Sequence, residues 1–204
     1  MQTKYDVIIC DLGSVLVNFD HRIAVKKIMQ HTPKAEEDIY NLFFDSGITE
    51  LYEEGRISSS EFFSQVKDAL QLDMDCDGFF PVWNDIFFET ELNIKVRDFL
   101  RKIRPRYKLV MLSNLNMTHF EFLKKTMDNI FDEFHKLVLS YEVGFRKPAP
   151  QIYKVALDFA KTSPERAFYI DDRRDLVDAA AGLGIKGVVF NGERALDSIR
   201  RELG

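Results

Sequence analysis

The sequence predicts an α/β fold in which a doubly wound parallel sheet carries an inserted α-helical cap. An apolar run near the N-terminus, at residues 7–10, has the length of a buried strand and stops at a carboxylate. Residues 20–90 show helical patterning without a strand signal, and beyond residue 90 helix and strand patterns alternate. Together these features indicate a core sheet and a helical insertion after its first strand.

The first strand is predicted at Val7–Cys10, where every residue is apolar. Asp11 follows this strand directly, and Gly13 comes two residues later. Open α/β sheets bind their ligands at the carboxyl ends of the strands, so an acid at this position is a candidate functional residue. Because Asp is also a common turn residue, its significance depends on the partners that the rest of the chain supplies.

Helices are predicted throughout residues 20–90, which we interpret as the cap, with residues 1–19 plus 91–204 forming the α/β core. Ser58 and Glu61 form a capping-box pattern. The helical stripe that follows comprises Phe62, Phe63, Val66, Ala69 and Leu70. Phenylalanine doublets and Trp83 in this segment predict the core of a helical bundle, with a surface for a partner or a second copy as the alternative.

After residue 90 the predicted elements alternate in type. Helical patterns occupy residues 92–103, a segment capped by Thr118 and Glu121, and residues 152–159, 176–183 and 195–203. Strands are predicted between them at residues 107–112, 137–139, 167–170 and 186–190. Because β-α alternation produces parallel strands with right-handed crossovers, the carboxyl ends of these strands should share one edge of the sheet.

Composition excludes several functional classes. The chain of 204 residues has 33 acidic and 28 basic residues, a net charge of −5 and no basic stripe, so no nucleic-acid partner is expected. Cys10 and Cys76 lie in different segments, which predicts neither a disulfide framework nor a zinc site. With no secretory leader and no apolar run approaching about 18 residues, we expect a cytoplasmic protein without a membrane partner. The sequence leaves open whether the protein is a monomer or a homodimer.

Polar residues follow the ends of the predicted strands, directly or after a loop. In chain order they are Asp11, Ser113, Asn114, Lys147, Asp171 and Asp172. Since parallel strands end at one edge, these side chains are expected to converge. Hard oxygen ligands with few protein donors suit Mg²⁺, which completes its coordination with water and substrate phosphate. A carboxylate nucleophile, an ammonium group and a metal ion together favour phosphoryl transfer.

In these motifs the chain resembles the haloacid dehalogenase superfamily of hydrolases, over essentially all of its length. The matching positions are residues 11–15, Ser113, Lys147, Asp171 and Asp172, and Asp175 with Gly184. The loop sequences DLGSVL, LSNLN, GFRKPAP and IDDRRDLVDAA are most similar to those of bacterial sugar-phosphate phosphatases, such as those acting on α-D-glucose 1-phosphate, and of the phosphatase domain of soluble epoxide hydrolase. The resemblance implies a Rossmann-like core with a helical cap.

The resemblance also implies catalytic roles for the matching residues. Asp11 would attack phosphorus and form an aspartyl-phosphate. Ser113 and the backbone of Asn114 would hold phosphoryl oxygens. Lys147 would neutralise the charge of the nucleophile and of the phosphate.

The implied metal ligands are Asp11, Gly13 through its carbonyl group, and Asp172, with Mg²⁺ as the cofactor. Counting back from Gly184 places Asp172, rather than Asp171, at the metal-binding acid of the family. Gly13 departs from the family pattern, because the usual general acid is an Asp at that position. Acid–base help of this kind typically contributes about 10²–10⁴-fold to the rate.

A second departure is Leu176, where related loops often carry a polar residue, and it weakens the expected ordering of the metal site. The sequence does not assign the cap residues that select the substrate. Arg56, His21 and Arg22 are candidates, although a solvated surface position is the favoured interpretation of each.

The favoured function is a Mg²⁺-dependent phosphatase acting on a small phosphorylated metabolite, with a sugar phosphate, and in particular a sugar 1-phosphate, as the expected substrate. An anomeric oxyanion leaves with little protonation, which suits a site without the usual acid. One alternative is a 2-haloacid dehalogenase, which uses the same Asp without a metal but usually has an aromatic residue at position 13. The other is a catalytically silent phosphosugar-binding protein, because Gly13 replaces the acid.

Overall fold

The computed structural model describes residues 3–44 and 46–204. Its strands are β1 (Val7–Cys10), β2 (Asn18–Phe19), β3 (Phe87–Phe88), β4 (Lys108–Ser113), β5 (Lys136–Leu139), β6 (Ala167–Asp171) and β7 (Lys186–Val189). Its helices are α1 (His21–Ile28), α2 (Glu36–Phe44), α3 (Gly47–Glu53), α4 (Ser59–Leu70), α5 (Cys76–Asn84), α6 (Glu91–Ile103), α7 (Met117–Thr126), α8 (Ser140–Val143), α9 (Pro150–Ala160), α10 (Arg174–Gly182) and α11 (Glu193–Leu203).

A parallel five-stranded sheet forms the centre of the molecule, in the order β5-β4-β1-β6-β7. The central strand β1 is buried on both faces, with Ile9 beside Val110 of β4 and Tyr169 of β6. Alternate residues of β1 therefore belong to two separate apolar layers. Ile8 and Cys10 pack on one face of the sheet, and Val7 and Ile9 pack on the opposite face. The predicted doubly wound α/β fold is confirmed.

Helices α1 to α5 follow the first strand and enclose an apolar cluster of their own. Phe43, Phe62, Phe79 and Trp83 are buried in it, so the aromatic residues supply the core of this bundle. The capping box predicted at Ser58 and Glu61 forms at the start of α4. The chain enters the bundle through β2 and leaves it through β3, an antiparallel pair that the sequence pattern did not predict because each strand has only two residues.

Two local predictions were wrong. The cap of α7 is Asn116, not Thr118, because the Asn116 side chain accepts the backbone N–H of His119 while the Thr118 hydroxyl donates to the same amide oxygen. Phe159, the last residue of the apolar helical pattern predicted at residues 152–159, is exposed, and Tyr153 faces the core instead. At α7 the amide side chain two residues before Thr118 reaches the His119 N–H, and at α9 the buried face comprises Ile152, Tyr153, Ala156 and Ala160, so that Phe159 falls outside it.

No helix in residues 3–44 and 46–204 combines the length and the hydropathy needed to cross a membrane.

Candidate active site

The strand-end residues converge on one cavity at the carboxyl edge of the sheet. Asp11 follows β1, Ser113 ends β4 and Asp171 ends β6, while Lys147 lies in the loop between α8 and α9. The cavity has a volume of about 340 Å³ and lies between the sheet edge and the helical bundle. Its floor includes the predicted site residues Asp11, Gly13, Ser113, Asn114, Lys147 and Asp172.

Lys147 joins two acids at the centre of this floor. Its Nζ atom lies 2.8 Å from Asp11 Oδ1 and 2.8 Å from Asp171 Oδ2. All three side chains are buried. Without the ammonium group, two buried carboxylates would face each other unpaired. Burying charged groups is less costly when each has a partner of opposite charge, and Lys147 is that partner for both acids.

Burial and pairing shift the protonation of this cluster. Burial raises the pKa of Asp11 to about 7, against the opposing effect of Lys147. Burial disfavours the charge of Lys147, but the two carboxylates outweigh it and raise the pKa of the ammonium group above its ordinary value. Lys147 is consequently a permanent cation at neutral pH, held against the candidate nucleophile.

Asn114 has a structural part in the site that the sequence interpretation missed. Its side-chain Nδ2 donates to the Lys147 carbonyl at 3.0 Å, and its Oδ1 accepts the Lys147 N–H at 2.7 Å. This reciprocal pair holds the loop of Lys147 against the end of β4. The sequence places Asn114 at a strand end, but a contact across 33 positions leaves no local signal.

The neighbouring acids Asp171 and Asp172 differ in their surroundings. Asp171 is fully buried, with one oxygen contacting Lys147 and Tyr169 and the other accepting the Arg173 N–H at 2.8 Å. Asp172 is half-buried, lines the cavity, and its pKa is raised by burial and by Asp171.

The donor set fits a divalent cation. Carboxylate oxygens of Asp11, Asp171 and Asp172 lie within 4.8 Å of one another. Three carboxylates and the one ammonium group of Lys147 leave a net charge of about −2 if all are ionised, and hard oxygen donors are what Mg²⁺ prefers. Asp171 accepts protein donors on both oxygens and does not line the cavity, whereas Asp11 and Asp172 line it and face the space in which an ion would bind.

Phe19 occupies the space above Gly13. A Cβ atom added at Gly13 would lie 2.8 Å from Phe19 Cε1, closer than side chains pack. The ring of Phe19 contacts His21, with centroids 4.8 Å apart. The position of the family's usual acid is therefore covered by an aromatic ring as well as lacking a carboxyl group.

Charged residues from the bundle and the core meet at the cavity wall. Arg146 pairs with Glu50 at 2.8 Å and with Glu53 at 2.7 Å, both on α3. Burial raises the pKa of Glu53, although Arg146 opposes this effect. Of the cap candidates, His21 lines the cavity, whereas Arg56 pairs with Glu54 on the surface and Arg22 is exposed outside the lining.

Three comparisons with known proteins point to one family. The sequence model of the haloacid dehalogenase-like hydrolases matches residues 5–184. A D-ribitol-5-phosphate phosphatase of Bacteroides thetaiotaomicron is 25% identical over 198 residues, which cover 93% of each chain. Crystal structures of a HAD family enzyme from the same organism superpose with a TM-score of 0.84 at 27% identity, over 96% of this chain and 98% of the other.

One crystal structure of that HAD family enzyme contains magnesium and inorganic phosphate, with a TM-score of 0.79 at 27% identity over 93% of this chain and 96% of the other. L-2-haloacid dehalogenase from Xanthobacter autotrophicus superposes with a TM-score of 0.62 at 16% identity, over 95% of this chain and 81% of the other. The dehalogenase shares the fold, and at this identity the likeness extends no further.

Proposed function

The chain belongs to the haloacid dehalogenase-like hydrolases, and we propose that it is a Mg²⁺-dependent phosphatase of a small phosphorylated metabolite, in particular a sugar phosphate. Its relationship to a phosphatase makes it a phosphoric monoester hydrolase. The observation that carries the proposal is the buried contact of Lys147 with Asp11 and Asp171, which places the ammonium group and the Asp11 carboxylate on the floor of a cavity.

Asp11 is the proposed nucleophile. A carboxylate oxygen attacks phosphorus, the bond from phosphorus to the ester oxygen breaks, and an aspartyl-phosphate forms while the leaving oxygen departs as an oxyanion that takes a proton from solvent. Water then attacks phosphorus, the bond from phosphorus to the Asp11 oxygen breaks, and inorganic phosphate leaves as the attacking water gives a proton to solvent, which restores the carboxylate. Lys147 stabilises the ionised nucleophile and the charge of the transferring group, since catalysis of this reaction is largely positioning and charge neutralisation. Ser113 and the Asn114 backbone are proposed to hold phosphoryl oxygens.

Asp11, Asp172 and the Gly13 carbonyl are the proposed holders of Mg²⁺. A bound Mg²⁺ would supply neutralisation of the phosphoryl charge. The cluster supports this assignment because its carboxylates outnumber its cations and because Asp172 lines the cavity.

We also propose that residues 20–90 act as a cap that closes over the sheet edge. The cavity is lined from both sides, by core residues below and by residues of α2, α3 and α5 above. A cavity of about 340 Å³ accommodates a metabolite of sugar size rather than a macromolecule.

The finer substrate proposal is a sugar 1-phosphate. Gly13 offers no proton to the leaving oxygen, so an anomeric oxyanion, which is more stable than a primary alkoxide, should leave faster. The relative that hydrolyses D-ribitol 5-phosphate acts on a primary alkyl phosphate, so both ester types belong in the same assay.

The decisive experiment is phosphate release from a panel of sugar 1-phosphates, sugar 6-phosphates and polyol phosphates, with Mg²⁺ and with a chelator. We expect Mg²⁺-dependent release, fastest for the anomeric esters. Halide release from 2-haloacids would support a dehalogenase instead, and saturable binding without turnover would support a silent binding protein. Equal rates for primary and anomeric esters would contradict the proposed preference for sugar 1-phosphates but not the proposed phosphatase activity.

Asp11→Asn is the matched variant for this assay. The carboxamide keeps the shape of the side chain but is a far weaker nucleophile, so turnover should be abolished while the circular dichroism spectrum stays native. Activity near that of the wild-type protein would remove Asp11 from the mechanism.

A further inference from the structure

Tyr169 contacts the charged cluster from below the cavity floor. It lies in β6 two residues before Asp171, so the two side chains project from the same face of the sheet. Its hydroxyl donates to Asp171 Oδ2, the oxygen that also accepts from Lys147 Nζ at 2.8 Å. Tyr169 is fully buried and does not line the cavity, so it cannot touch a substrate.

We propose that Tyr169 is a positioning residue for the phosphatase reaction, holding Asp171 so that Asp171 directs Lys147 at Asp11. This inference rests on the proposed function. With Arg173 donating to Oδ1 and Tyr169 to Oδ2, the Asp171 carboxylate is held at both oxygens. The lysine stem is flexible, so the direction of its ammonium group depends on where its acceptors are fixed.

The hydroxyl is not needed for packing. The ring of Tyr169 lies among apolar residues and meets Tyr153 edge-on, with centroids 5.6 Å apart and an interplanar angle of 90°. Phenylalanine would fill the same volume. A buried hydroxyl is costly without a partner, and here the partner is an acid of the site.

The test is the steady-state kinetics of Tyr169→Phe. We expect kcat to fall about 10- to 100-fold, the range for losing a hydrogen bond to a charged group, with KM within about twofold of wild type. We expect kcat to change more than KM because Lys147 stabilises the charge that develops in the transition state more than it stabilises the bound ester. Tyr107→Phe is the control, since this buried tyrosine donates to the Leu203 carbonyl at 3.2 Å, outside the site, and should leave both constants unchanged.

A double-mutant cycle with Asp171→Asn separates positioning from a structural role. If Tyr169 acts through Asp171, the double variant should have the kcat of Asp171→Asn alone, within about twofold. Additive losses, or a Tyr169→Phe variant with wild-type kcat, would overturn the inference. So would a variant that no longer folds, since the proposal assigns the hydroxyl to the site and not to the stability of the fold.

Failure of this inference is distinguishable from failure of the proposed function. If the wild-type protein releases phosphate and Asp11→Asn does not, the function stands whatever Tyr169→Phe does. If the wild-type protein releases none from the panel, the proposed function has failed before the variant is measured.

Discussion

At the scale of single residues, the adjacent acids of the site make different contacts. Asp171 is held at both oxygens by protein donors, whereas Asp172 lines the cavity. We expect Asp172→Ala to raise the Mg²⁺ concentration needed for half-maximal activity by about 10-fold or more. Asp171→Asn should instead lower kcat at saturating Mg²⁺, because it disturbs Lys147.

Mg²⁺ titrations of both variants decide this assignment. A larger shift of the Mg²⁺ requirement in Asp171→Asn than in Asp172→Ala would exchange the two roles.

Restoring an acid at position 13 tests why this chain lacks one. A Cβ atom at Gly13 would lie 2.8 Å from Phe19 Cε1, so the new side chain can reach the cavity only if the ring moves. We expect Gly13→Asp alone to change little, and the combination with Phe19→Ala to accelerate primary alkyl phosphates by up to about 10²–10⁴-fold.

Phe19→Ala alone is the control for opening the cavity. If Gly13→Asp alone hydrolyses primary alkyl phosphates as fast as the double variant, the Phe19 ring is not the obstacle. Phe19 is partly exposed, so its ring could then rotate away from the new side chain.

At the scale of elements, Arg146 ties the loop of Lys147 to helix α3. Its guanidinium group contacts Glu50 and Glu53, so the bundle is fixed to the loop that carries Lys147, the proposed catalytic cation. Arg146→Met keeps most of the stem but leaves the largely buried Glu53 without its partner. We expect the free energy of unfolding to fall by about 1–2 kcal/mol and KM to rise about 10-fold.

Denaturant unfolding and steady-state kinetics check both expectations. Lys154→Met is the matched control, because it breaks an exposed pair with Asp158 on α9 and should change neither quantity appreciably. An unchanged KM in Arg146→Met would show that the ion pairs do not hold the cap for substrate binding.

At the scale of the whole molecule, His119 joins the core to the bundle. Its Nε2 contacts the Trp83 carbonyl at 3.2 Å, its Nδ1 contacts Asn116 Nδ2 at 3.0 Å, and its ring stacks on Trp83. An amide donor on one nitrogen and a carbonyl acceptor on the other require the neutral imidazole with its proton on Nε2. Burial lowers the pKa of His119 to about 3.

A depressed histidine pKa makes stability depend on pH in one direction. The unfolded chain takes up the proton first, near pH 6.5, so the stability present above that pH is lost as the pH falls toward 3. Between pH 7 and pH 5 the loss from His119 should be about 2 kcal/mol. Burial also lowers the pKa of His21 to about 4, so His21 adds to the loss in the same direction.

Urea unfolding at pH 7 and pH 5 measures this loss. His119→Gln should be less stable than the wild-type protein at pH 7 but should lose less on acidification. An identical pH dependence in wild type and variant would mean that His119 is not the group responsible.

The prediction of the fold rested on patterns that are local in the chain. The apolar run of β1 and the alternation of helices and strands beyond residue 90 reflect burial on each element, which periodicity records directly. The placement of Asp11 and Asp171 at one edge followed from parallel topology, because every parallel strand ends on the same side. The two-residue strands β2 and β3 escaped prediction because two residues have no periodicity.

By itself, the sequence determined the fold class, the order of the elements and which strand ends carry acids, since each of these depends on residues close together in the chain. Tertiary structure alone decided that Asn114 clamps the Lys147 loop, that Phe19 covers Gly13 and that Arg146 meets α3. The contacts of Asn114 and Arg146 join segments far apart in sequence, and that of Phe19 depends on how the chain folds back over Gly13, so their geometry is set by how whole elements pack. Which residues meet at the candidate site was therefore predictable from the chain, but the residues that hold them in place were not.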